Sequence, residues 1–211
     1  MSVCQGTDTE GLPARAAATE LYVLLSRCFE HPNEAFVESV HTGTFEETIH
    51  SRATELDIDL PPVPELADLP TVRAAYRRSF ESYDGPSASL VESVYREWHD
   101  GRERGLLSGP PAHDMQRRYD ALDVDVPEQY QPDHLALLLE YASLVLETGE
   151  LDAYEQFHRE HFAWLADFHA RVDETCDEPF YRWATTALVR TAEGVDQWIA
   201  RETDDVGRGQ R

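Results

Sequence analysis

The 211-residue chain reads as an all-α protein. Apolar residues recur at spacings of three and four along most of its length, and proline and glycine punctuate the ends of those segments. No stretch alternates apolar and polar residues for long enough to make a strand.

The centre of the pattern is 131–150, where Gln131-Pro132-Asp133-His134 leads into an almost unbroken apolar run from Leu135 to Leu146, closed by Glu147-Thr148-Gly149. This predicts one buried helix, with Pro132 in its first turn, Asp133 complementing the helix dipole and Gly149 as a left-handed stop. On such a helix Asp133 shares a strip with Ala136 and Glu140, whereas His134 projects to the other side with Leu138 and Tyr141.

Before that centre, residues 1–12 lack periodicity and are expected to be a flexible N-terminus. A helix from Ala14 to Phe29 stops at His31-Pro32, and Asn33 caps a second helix through Phe36, Val37 and Val40. Thr44 with Glu47 predicts a capping box for a third, whose apolar face is Phe45, Ile49, Ala53 and Leu56. Pro70-Thr71 begins a fourth, with Val72, Tyr76, Phe80 and Tyr83 on one side and Arg73, Arg77 and Arg78 on a solvated face. Leu90 to Trp98 is apolar and aromatic but fits neither helix nor strand cleanly. Glycines 101, 105 and 109 mark a loop, and His113 to Leu122 is a short amphipathic helix.

After the centre, Leu151, Tyr154, His158, His161, Leu165, Phe168 and Val172 predict the seam of one packed helix. Pro179 opens the last, whose face carries Phe180, Trp183, Ala187, Thr191, Val195 and Trp198. These elements predict a single helical domain or two helical subdomains, 13–122 and 132–202, joined by a hinge at 123–131, with a flexible tail at 203–211.

Composition narrows the function. There are 41 Asp+Glu against 18 Lys+Arg, a net charge of -23, and every basic residue is arginine. Such a surface points to a salt-loving source, where acidic side chains keep the protein hydrated. It disfavours duplex nucleic acid and anionic membranes, both of which require basic patches. At about 1 M salt the screening length is only about 3 Å, so a partner must be recognised by contact chemistry. Cys4, Cys28 and Cys176 form neither a disulfide framework nor a zinc motif, and no signal peptide or membrane span is apparent, so a cytoplasmic location is expected.

Nucleophile-elbow, Walker, dinucleotide-binding and zinc-protease motifs do not occur. Two E-x-x-H units, Glu47/His50 and Glu155/His158, allow an alternative reading as a di-iron or other metal-binding bundle recruiting Glu20 and Glu140. However, Glu47 and His50 project away from the apolar face of their helix, whereas bundle ligands point inward. His158 and His161 form a further i, i+3 pair on the seam.

Three features in order resemble the TorD/DmsD/NarJ family of cytoplasmic chaperones for molybdenum-containing redox enzymes. They are Leu21 to Leu25 followed by Phe29-Glu30-His31-Pro32, then Gly85-Pro86 followed by Glu92-Ser93-Val94-Tyr95, and finally Pro132-Asp133-His134 with Glu140-Tyr141 downstream. Gln131 stands where a glutamate often precedes the P-D-H motif, and Ser89-Leu90 replace prolines before E-S-V-Y. The resemblance implies a non-enzymatic module with no cofactor of its own. It would bind the apo-catalytic subunit of a DMSO/TMAO- or nitrate-reductase-type oxidoreductase through its N-terminal leader, often a twin-arginine signal, as a monomer or domain-swapped dimer. It also implies Asp133, His134, Glu92, Ser93 and Tyr95 as client-binding residues. Trp98 and Tyr141 would add apolar surface beside Tyr95, and Asp133 and Glu92 would supply carboxylates to pair with leader arginines.

The acidic composition predicts that the thermal midpoint rises steeply between tens of millimolar and molar KCl. Equal midpoints at the two salt concentrations would contradict the salt-loving reading.

Overall fold

Nine α-helices and one 3-10 turn make up the regular structure among the described residues of the computed structural model, which are 11–82, 86–95 and 109–209. The helices are α1 (Gly11–Phe29), α2 (Glu34–His41), α3 (Thr44–Glu55), α4 (Leu69–Phe80), α5 (Pro110–Ala121), α6 (Leu135–Thr148), α7 (Leu151–His161), α8 (Leu165–Thr175) and α9 (Pro179–Gly209), and the turn is Glu92–Val94. Trp98, Tyr83, Gly85, the glycines at 101 and 105, and residues 1–10 and 210–211 lie outside the described residues.

Several ends follow local chemistry, at Asn33 and Gly149 as the sequence indicates and at Asp68 in addition. Asn33 Oδ1 accepts the Phe36 N–H at 2.9 Å, satisfying a donor that the first turn of α2 leaves open. Asp68 does the same for Thr71 at the start of α4, at 3.2 Å. Gly149 ends α6 at φ 79°, in the left-handed region that a residue without Cβ enters freely.

Three expectations need correction. The Thr44/Glu47 capping box does not form: Gly43, at φ 77°, holds the cap position, Glu47 N–H donates to its carbonyl at 2.9 Å, and Thr44 has already entered the helix. The seam after the centre is two helices, broken at 162–164, where the Trp164 indole donates to the His161 carbonyl at 2.7 Å. Finally, α6 begins at Leu135, so Pro132, Asp133 and His134 all precede it.

Packing runs across the middle of the chain. α1 lies along α6 and also contacts α3 and α9, while α8 packs on α9 and α6 on α7. One hydrophobic cluster holds Leu21, Leu25 and Phe29 of α1, Leu138, Leu139 and Ala142 of α6, and Ala184, Leu188 and Val195 of α9. It therefore draws on residues from both sides of 123–131. Edge-on aromatic contacts, such as Phe29 against Phe80 and Phe168, fill the space between α1, α4 and α8. No described helix is long and apolar enough to cross a membrane.

Candidate functional site

The late start of α6 is caused by pairing with a segment distant in the sequence. Val91 and His134 form an isolated antiparallel bridge, in which Glu92 N–H donates to the Asp133 carbonyl at 3.1 Å and Leu135 N–H donates to the Leu90 carbonyl at 2.7 Å. Backbone committed to this pairing is extended, with His134 at φ -69° and ψ 137°, and cannot be helical. The helix starts one residue later, and His134 caps it by accepting the Ala136 N–H on Nδ1 at 3.3 Å.

The E-S-V-Y and P-D-H segments, 40 positions apart in the chain, thus meet. Asp133 Oδ2 accepts the Ser93 N–H at 2.8 Å and also the Ser93 hydroxyl. Glu92, Ser93 and Asp133 are each 0% exposed, so the sequence-predicted residues face one another in the interior. Burial pushes the Asp133 carboxyl above the usual carboxylate range, and the two Ser93 bonds offset this only in part. Its other oxygen, Oδ1, is buried without a hydrogen-bond partner.

His134 turns the other way, onto the Tyr130 ring at 4.4 Å between centroids. Tyr130 stacks in turn against His31 and accepts the His31 backbone N–H at 3.1 Å. Burial, with the neighbouring His31 as a lesser cause, lowers the His134 pKa to about 3, which leaves its ring neutral as a capping acceptor requires.

Tyr95 donates its hydroxyl to the Ser89 carbonyl at 2.9 Å and stacks on Trp164 at 4.9 Å. Tyr141, half-buried on α6, lies 5.0 Å from the Phe157 ring. Trp98 cannot be placed relative to them, being outside the described residues.

Sequence reasoning left one layer unassigned. His161, a seam histidine in an i, i+3 pair with His158, has its Nδ1 2.7 Å from Glu92 Oε2 and its Nε2 3.1 Å from Asp114 Oδ2. Both ring nitrogens of His161 thus face carboxylate oxygens, one from the Glu92–Val94 turn and one from α5. Arg118 continues the network from Asp114, at 2.6 Å, to Glu160, at 2.7 Å, with its guanidinium 5.7 Å from both the Tyr141 and Phe157 rings. Burial tends to raise the Asp114 carboxyl, but Arg118 and His161 outweigh it and hold the group below its ordinary range. A cleft of about 420 Å³ opens beside Asp114, Glu160 and His161.

The two E-x-x-H units do not assemble. His50 reaches only Glu46, at 4.0 Å, and His158 faces Asp196 at 3.7 Å. Among the described residues the one group with metal-ligand spacing is Asp114, Glu160 and His161, and Arg118 already bonds both of its carboxylates.

The neutral state of His134 sets a pH dependence. In the unfolded chain the ring takes up a proton near pH 6.5, whereas in the fold it does so only near 3. The folded state binds fewer protons, so the contribution is complete above about pH 6.5 and is lost as the pH falls towards 3. His134→Asn keeps a capping acceptor and does not titrate. Between pH 7.5 and 5.0, denaturant unfolding should show the wild type losing about 2 kcal/mol more than this variant; equal losses would contradict a neutral, buried ring.

Comparison with known proteins places this geometry. The family model described as nitrate reductase delta subunit matches residues 41–174, a span holding E-S-V-Y, P-D-H and His161. A crystal structure of a candidate redox enzyme maturation protein from Archaeoglobus fulgidus superposes with a TM-score of 0.52 at 19% identity, covering 90% of this chain and 96% of that one. That likeness is one of fold. No curated protein sequence matches the chain. Because the family match spans more than half of its length, the chain belongs to the nitrate reductase delta subunit family, the NarJ/TorD-type chaperones of redox enzyme maturation.

Proposed function

We propose that this protein binds the leader peptide or apo-form of a molybdenum-containing oxidoreductase, of DMSO/TMAO or nitrate reductase type, in the cytoplasm before cofactor insertion and export. The observation that carries this reading is the junction of E-S-V-Y with P-D-H inside the span matched by a maturation-chaperone family. In this reading the protein holds its client and turns nothing over.

The roles divide by exposure. Glu92, Ser93 and Asp133 are wholly buried, so they serve the client by fixing the shape of the junction. His134 shapes the start of α6. Tyr95 and Tyr141 are partly exposed and offer aromatic surface to the apolar stretch of a leader. The acidic exterior suits the cationic end of a leader through short-range arginine–carboxylate pairing, which survives in strong salt because it is made in contact.

The experiment is capture from the native organism's lysate in high salt, with tagged wild type and Asp133→Ala/His134→Ala, both checked by circular dichroism to be folded at the temperature used. Wild type should retain a molybdopterin oxidoreductase subunit that the double variant loses. Failure of the wild type to retain any such subunit at any salt concentration would overturn the proposal.

A further inference from the structure

We propose that His161 is the positioning residue of the client-binding junction: its ring ties the Glu92–Val94 turn to α5 and so sets where Ser93 meets Asp133. The inference rests on the client-binding reading above and adds a residue that neither motif contains.

Three observations support it. The ring is 2% exposed, and both of its nitrogens meet carboxylate oxygens from different elements, Glu92 at 2.7 Å on one side and Asp114 at 3.1 Å on the other. Glu92 and Asp114 belong to different elements 22 positions apart in the sequence, and a single side chain on α7 bonds both. Glu92 itself donates its N–H to the Asp133 carbonyl, and the next residue bonds the Asp133 carboxylate. Displacement of the Glu92 side chain is therefore passed through one peptide unit to both Asp133 contacts.

The break between α7 and α8 makes this placement possible. His161 is the last residue of α7, and the Trp164 indole holds its carbonyl at 2.7 Å. An unbroken helix would carry the chain onward with no indole at that carbonyl. His161 is not the sole partner of Glu92, so its particular contribution has to be separated from general stability.

The test compares wild type, His161→Leu, which has the bulk but no donor, and His161→Gln, which keeps one. Native-state amide exchange is read at Glu92 and Ser93, whose N–H groups bond Asp133, and at Ala142 and Leu188 in the cores of α6 and α9. In His161→Leu, exchange at Glu92 and Ser93 should accelerate by at least tenfold more than at the two helix amides, and His161→Gln should recover most of the difference. Uniform acceleration at all four sites, or none, would overturn the inference, because general stability moves them together. In parallel, affinity is measured for a synthetic N-terminal leader of a nitrate reductase catalytic subunit. His161→Leu should weaken it at least tenfold, while the α3 core variant Ile49→Ala, destabilised far from the junction, should bind as wild type does. If wild type fails to bind the peptide, the client-binding reading falls while amide exchange still decides the pin. If His161→Leu binds as tightly as wild type, the positioning role falls and the client-binding reading stands.

Discussion

The antiparallel bridge between 90–92 and 133–135, locked by Ser93 on Asp133, is the constraint from which the rest of the structure is arranged. It uses two backbone hydrogen bonds and buries a carboxylate beside them. Burying such a group costs several kcal/mol unless it is well bonded. Ser93 supplies two donors to one oxygen, while the other has no partner. The pairing holds His134 in an extended geometry next to the helix start. That geometry sets the first residue of α6, and α6 is the helix against which α1 lies.

Around the bridge, charge is layered inward. Asp114, Arg118 and Glu160 stand at the part-exposed edge, His161 lies behind them, and Glu92 and Asp133 are innermost. Arginine suits the outer position because its planar fork bonds carboxylates of two helices while its face covers Tyr141 and Phe157. In a chain whose basic residues are all arginine, Arg118 is committed to part-buried contacts of the kind that high salt screens least. Among the described residues the other acidic side chains are partly or fully exposed.

Much of the fold was legible because helical periodicity and capping are local. Asn33, Gly149 and Pro179 each acted where their own chemistry put them, and the apolar face of α3 from Phe45 to Leu56 is buried as its spacing indicates. The misreadings share one physical origin, competition from outside the segment. Pro132-Asp133 looks like a helix start until Leu90 and Glu92 claim the neighbouring backbone. Thr44 looks like a cap until Gly43, in the left-handed region, takes the position first. The three-and-four spacing from Leu151 to Val172 continues through the break at 162–164 because the turn returns the chain to the same core. At the candidate site, the motifs carry residues that meet in the bridge, but their spacing does not report the inward orientation of Glu92, Ser93 and Asp133. The Glu92–His161–Asp114 network joins positions 69 and 47 apart, and no sequence period reports such a pairing.

The most direct measurement is hydrogen–deuterium exchange on the native complex of this protein with its client, compared with the free chaperone. If client binding is organised by the bridge, the peptides gaining protection include 89–95 and 130–137 together. Protection confined to α2 and α3, with exchange at both bridge segments unchanged, would contradict the account.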